Sequence, residues 1–275
     1  MRGEASLSAD HTSRDALAPR LKAQGKDTWR IGEDLFIITD LLDHNRAVES
    51  ALTDLSRPTS DKITLVKEML GSSAHPFTIE ILSDLVGRKW SHVCDIANAV
   101  EDFGVDAMMY YADMAGDTYE VSTELAQLHS ALVMLPVLRS KLTDETASSQ
   151  ARIDLLHEVL HNSRLNPVTM RLAEHLTWNP RHRRYLSALQ WLIAKFSHHM
   201  GQSMVTVITA VALGSNQIDR LTKFYSAKLG RPAYINSLVD PEVIGGMRVQ
   251  VGDEVTDNTV VAQLSELNRR LESAM

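Results

Sequence analysis

The chain has 275 residues, 44% of them hydrophobic and 23% charged, and a formal net charge of −7. That balance excludes wholesale disorder and fibrous structure, and the length points to two domains or more. The acidic total gives the whole chain no pull toward nucleic acid or anionic lipid. The one cysteine, Cys94, can close no internal disulfide and has no second cysteine with which to hold a metal.

The opening residues, MRGEASLSADHTSRDALAPR, hold no apolar core of the kind a secretory signal needs. The most apolar run, Val205 to Leu213, is less than half the ~20 residues that span a bilayer. We therefore expect a soluble chain that reaches a membrane only through a partner. The first two-thirds is poor in Gly and Pro, and its apolar residues recur at three and four, the helical period. Leu35, Ile38, Leu41 and Leu42 make one stripe, and Ile63, Val66, Met69 and Leu70 a second that Gly71 can stop. Leu155, Leu156, Val159 and Leu160 make a third, and Leu186, Leu189, Leu192 and Ile193 a fourth. Short amphipathic helices, each burying one face, are the expectation. Cys94 falls in such a stretch and is expected in the core.

A shift of 90 residues lays the helical region on itself. Asp27-Thr28-Trp29 falls on Asp117-Thr118-Tyr119, and Leu52-Thr53-Asp54 on Leu142-Thr143-Asp144. Lys62-Ile63 falls on Arg152-Ile153, Glu68 on Glu158 and Leu70 on Leu160; a one-residue slip then brings Pro76 onto Pro167. Chance likeness of two helical segments does not give one identical triplet and one near-identical triplet in a single register. A single long period is a doubled domain, not a solenoid. We place the two helical units at 1–103 and 104–202.

After Gln202 the texture changes. Val205, Val207, Thr209, Val211 and Leu213 alternate with smaller residues, a strand pattern. Ser215 is placed to cap a helix that Gly230 stops. Arg231 to Val239 and Met247 to Val251 are expected strands, with Gly252-Asp253 as a turn. Asp257 is placed to cap a last helix carrying Val260, Val261, Leu264, Leu267 and Leu271. The expected fold class is α+β: two tandem all-α bundles of six-helix type, then a small β-α-β-β-α unit over 203–275.

Residues that could carry chemistry are few. His157-Glu158-Val159-Leu160-His161 has the zincin spacing, two histidines on one helical face with a glutamate between. The extended pattern fails, because Arg164 and Pro167 stand where Gly and His are needed. The repeat counterpart, Lys67-Glu68-Met69-Leu70-Gly71, keeps the glutamate without either histidine. Arg181-His182-Arg183-Arg184 is a basic knot better placed in a solvated turn than on a phosphate. No phosphate-cradling glycine loop and no nucleophile setting is present. So few candidates favour a binding or structural role, with no cofactor or metal expected.

The most specific segment runs from Val239 to Asp257: VDPEVIGGMRVQVGDEVTD. Gly245 and Gly246 permit positive φ or close backbone approach. With Asp240, Ile244, Gly252, Asp253, Asp257 and the leucines beyond, this segment closely resembles the signature of the delta subunit of the F-type ATP synthase. That family is related to the mitochondrial oligomycin-sensitivity-conferring protein. The doubled helical region and the opening MRGEASL resemble the long actinobacterial form, in which the first copy is an added module.

The resemblance implies a stator subunit joining the catalytic head to the peripheral stalk at the cytoplasmic face of the bacterial membrane. It implies that the second helical copy grips N-terminal helices of the alpha subunits, through helices at about 104–114 and 167–177. The C-terminal unit would meet the b subunit. Met108, Tyr111, Met170 and Leu172 are the implied gripping residues, and Tyr111-Ala112 matches a family Tyr-Ala pair. The rivals are a freestanding helical protein-binding scaffold and a zinc hydrolase using His157, Glu158 and His161.

Overall fold

A computed structural model describes residues 3–71, 73–181, 183–241, 243, 245–251, 254–260 and 264. The chain is mostly helical with a small C-terminal sheet, and it divides into two compact units, Met1–Thr118 and Tyr119–Met275.

The first unit contains α1 (Glu4–Lys22), α2 (Asp27–His44), α3 (Arg46–Thr53), α4 (Thr59–Leu70), α5 (Pro76–Val86) and α6 (Asp95–Ala115). Leu21, Ile31, Leu35, Leu42, Leu52, Val66, Ile81, Leu85 and Phe103 are among the core residues. The helices α2 and α6 approach closely because glycine faces glycine. A Cβ on Gly32 would lie 2.8 Å from Met108 Cε, and one on Gly104 would lie 2.8 Å from Phe36 Cε1. Phe36 fills the notch that Gly104 leaves. Three expectations need correction. Leu41 is 39% exposed and stands outside the stripe of Leu35, Ile38 and Leu42. Cys94 is exposed and precedes the first turn of α6 instead of packing in the core. The expected boundary at 103/104 falls inside the unbroken helix α6, which ends only at Gly116, in the left-handed region at φ 80°.

The second unit begins with α7 (Thr118–Val133), α8 (Pro136–Leu142), α9 (Ser149–Leu160), α10 (Pro167–Trp178) and α11 (Tyr185–His199). By position the 90-residue period carries α1 onto α6, α2 onto α7 and α6 onto α11, so α6 is the end of one repeat and the opening position of the next. Val159, expected in a stripe of α9, is 45% exposed. Buried Tyr185 ties the start of α11 to α10, its hydroxyl 2.8 Å from Thr177 Oγ1 and 3.2 Å from Ala173 O. Burial pushes that phenol up to about 12.

The strands are β1 (Ser203–Thr209), β2 (Ala233–Val239), β3 (Met247–Val251) and β4 (Glu254–Asp257), ordered β2-β1-β3-β4. β1 and β2 pair in parallel, Val205 opposite Ile235, across the crossover helix α12 (Ser215–Leu229). β3 pairs antiparallel with β1 and with β4. Val205, Val207, Ile235 and Val249 pack with Tyr225 of α12 on one face. The cap of α12 is Gly214, whose N–H donates to Gln217 Oε1 at 2.9 Å, so Ser215 is the first helical residue and not the cap. Gly230 ends α12 at φ 67°. β4 was not foreseen: Val251 pairs with Glu254, and the β-branched Val255 and Thr256 extend the sheet where only a turn and a helix were expected. Most of the expected last helix, Leu267 and Leu271 included, lies outside the described residues.

Among the described residues no single helix is long and apolar enough to cross a membrane; the apolar pair α7 and α8 is bent by 112°.

Candidate functional site

The signature segment connects β2 to β3 and then forms the outer hairpin of the sheet. Asp240 N–H donates to Thr209 O at 2.9 Å, which carries β2's end onto β1. Gly245 and Gly246 have φ 69° and 78°, as their sequence implied. The reason for glycine at 246 is steric as well as conformational. A Cβ there would lie 2.4 Å from Asn258 O and 3.0 Å from Thr259 Cα. The bonds Asn258 N–H to Met247 O at 3.0 Å and Val260 N–H to Gly245 O at 3.3 Å hold that close approach. Asp257 closes β4: Arg248 Nε donates to Asp257 Oδ2 at 3.1 Å across the hairpin, and Asp257 Oδ1 accepts from Thr259 N–H at 3.0 Å. The Thr259 hydroxyl and N–H, then Arg248, hold this carboxyl below its ordinary range. Asp257 thus ends a strand and turns the chain, a role the sequence placed at a helix cap. Gly252 and Asp253 lie outside the described residues. These residues build a rigid edge, and none is poised for proton transfer or nucleophilic attack.

The four gripping candidates separate. Met108 and Leu172 have no exposed surface, so neither can offer a side chain to a partner, a correction to both assignments. Met108 packs toward Gly32 instead. Tyr111 and Met170 are half-buried; Tyr111 meets Trp29 edge-on at 5.2 Å. The helix expected at about 104–114 is the C-terminal half of α6, whereas the one at 167–177 is α10 as anticipated. Sequence period alone cannot separate the buried from the open side of a helix that is apolar on both, and α6 is buried at fifteen positions.

The zincin-like histidines have separate tasks. His157 Nε2 lies 2.7 Å from Glu174 Oε1, joining α9 to α10, while His161 Nδ1 lies 2.6 Å from Glu158 O in its own helix. No group of three or more His, Cys, Asp or Glu among the described residues could hold a metal ion. The basic knot is a turn, as expected. Arg181 takes φ 51°, and Arg183 stacks over the Trp191 ring at 5.0 Å; His182 lies outside the described residues.

One feature of the second unit had no sequence signal. A groove of about 900 Å³ opens between α7, α8, the start of α11 and the strands β1 to β4. Val133, Met134, Val239 and Val255 line it with Arg139, Arg184 and Arg248. His129 also lines it, 6% exposed, with Nε2 buried and unpartnered. Burial, then the nearby Arg139, holds this imidazole below its ordinary value near 6.5.

Residues 105–271 match the family described as ATP synthase delta (OSCP) subunit. A relative from Bifidobacterium adolescentis, "ATP synthase subunit delta", is 62% identical over 99% of this chain and 99% of its own. One of the same name from Bifidobacterium animalis subsp. lactis is 55% identical over 100% of this chain and 99% of its own. One from Streptomyces avermitilis is 32% identical over 98% of both chains.

Proposed function

We infer the division of labour in this chain from its family: it belongs to the ATP synthase delta (OSCP) subunit family, as a non-catalytic stator subunit of that complex. On our reading it ties the catalytic head to the peripheral stalk at the cytoplasmic face of the membrane. The helices of the second repeat hold N-terminal helices of the alpha subunits, and the sheet with its signature hairpin meets the b subunit. The first repeat is an added module, so that two tandem six-helix sets precede the sheet.

The observation that carries this reading is where the family match begins. It starts at residue 105, inside α6, and runs through the sheet, leaving α1 to α5 outside. The family's own part is therefore the second repeat plus the sheet. The mechanism is mechanical: a rotating shaft drags the head unless the head is held, and several separate contacts acting together resist dissociation under torque.

Copurification tests it. A tagged full-length chain drawn from gently solubilised membranes should bring down alpha and b subunits and show no ATP turnover alone. Ending the chain at Gln202 should lose b and keep alpha. Retention of b by that shortened chain would reverse the assignment of the two parts.

A further inference from the structure

The α7–α8 corner is apolar and open. Leu135 and Val137 at the corner are 47% and 71% exposed, and in the groove beside it Val133 and Met134 are 38% and 48% exposed and Val239 and Val255 52% and 55%. Single exposed apolar residues are ordinary, but four lining one concave site mark a surface that a partner covers.

The first repeat supplies the control. Its α2–α3 corner, equivalent under the 90-residue shift, reads His44-Asn45-Arg46-Ala47 where the second repeat reads Met134-Leu135-Pro136-Val137. Glu49 stands where the second repeat has Arg139. One corner of the same helical pair has thus become apolar, and one of its positions has exchanged a carboxylate for a guanidinium. Packing does not require either change, since the polar version folds in the first unit.

The chemistry narrows the occupant. Arg139, Arg184 and Arg248 rim the groove, with Asp240 the acidic residue among its lining and Arg248 already bonded to Asp257. Residues 1–118 hold twenty acidic and twelve basic side chains, and residues 119–275 hold fifteen and sixteen, so the acidic character of the chain is confined to the first unit. Beneath the rim lies the buried His129 Nε2, a polar atom whose hydrogen bond is unmade. An occupant with an apolar stripe and carboxylates along one edge satisfies both walls.

We propose that this groove seats an amphipathic helix with an acidic edge, supplied by the peripheral stalk. This rests on the reading that the sheet meets the b subunit, because β1 to β4 form one wall of the groove. It extends the stalk contact from the sheet alone to the α7–α8 corner.

The test is fluorescence anisotropy of a labelled peptide from the C-terminus of the cognate b subunit, about 30 residues or eight turns long, added to the full chain. Met134→Asp and Arg184→Gln should each weaken binding by about tenfold or more, with the melting temperature unchanged because both side chains are exposed. Ala47→Asp in the first repeat should leave binding as it is, and added salt should weaken the wild-type complex. Undiminished affinity in both groove variants overturns the groove assignment while the stalk reading stands. No binding to the wild type overturns the stalk reading and the occupant together. If a peptide from the alpha N-terminus is the one that loses affinity in these variants, the groove belongs to the head and the proposal fails.

Discussion

The two helical repeats share one interior carboxylate clamp and one exposed turn, and differ at the corner between their second and third helices. In the first, Asp34 Oδ2 accepts from His75 N–H at 2.6 Å and Thr78 Oγ1 at 3.1 Å, fastening the start of α5 to α2. In the second, Glu124 accepts from Asn166 N–H at 3.0 and 3.1 Å and from the Thr169 hydroxyl, fastening α10 to α7. The second repeat has one more residue between these points and a carboxylate one methylene longer, so loop and side chain changed together. The turn after the third helix is likewise kept: Asp54 accepts from Ser56 N–H and Oγ at 2.8 and 2.7 Å, and Asp144 from Thr146 N–H and Oγ1 at 2.9 and 2.6 Å. Both carboxyls are held below their ordinary range by these bonds, hydroxyl first. A buried carboxylate needs its partners kept in each repeat, whereas a corner in solvent is free to diverge toward a new partner.

The sharpest test of this comparison is the buried cation shared by both repeats. Arg152 donates to Thr177 O at 3.1 Å, Trp178 O at 2.8 Å, Asp144 O at 3.0 Å and Ala147 O at 2.8 Å. Arg152→Met strands these carbonyls, and denaturant unfolding should lose about 3 kcal/mol or more. Lys62→Met, its counterpart in the first unit, removes a smaller donor and should cost less. Equal losses would mean that the Arg network adds nothing to the second repeat.

The next effect sets one left-handed glycine of each unit against the other. Gly246→Val meets both positive φ and the Asn258 carbonyl, and should destabilise the second unit by about 2 kcal/mol or more. Gly116→Ala has φ 80° but nothing within 4 Å of the added Cβ, so about 1 kcal/mol is expected. A wild-type melting profile for Gly246→Val would show that the close approach at Asn258 relaxes freely.

Glu124→Gln weakens charge-assisted bonds at a site only 8% exposed, and about 2 kcal/mol should be lost. Asp34→Asn, at a half-buried site, should lose about half of that. The reverse order would contradict the equivalence of the two clamps.

The smallest effect is on pH dependence. His129 is the counterpart of Thr39, whose hydroxyl donates to Leu35 O at 2.8 Å. The folded state holds His129 below its ordinary value near 6.5, so the unfolded chain binds the proton more readily. Its neutral form contributes stability that is present above about 6.5 and is lost as the pH falls through the lower folded value. His129→Gln should flatten that part of the unfolding curve. An unchanged slope would show that the imidazole takes up its proton without hindrance.

How much was legible beforehand follows from the same contrast. The helices, the repeat, the glycine stops and the signature glycines depend on local period and local φ, and a single strand of sequence records both. Gly245, Gly246 and Gly230 took the positive φ their positions implied. Which edge of a stripe is buried depends on what arrives from elsewhere. Leu41, Val159 and Cys94 therefore came out exposed, and Met108 and Leu172 inaccessible. β4 escaped notice because four residues are too few to show alternation, and only pairing with β3 makes them a strand.

The sequence by itself determined that a doubled set of helices precedes a small sheet, and it carried the family signature, because periodicity, duplication and glycine requirements are written residue by residue. Only the tertiary structure decided the groove. Val133 and Val255 are more than a hundred residues apart, and an apolar, arginine-rimmed surface exists only once α7, α8, α11 and the strands are folded side by side.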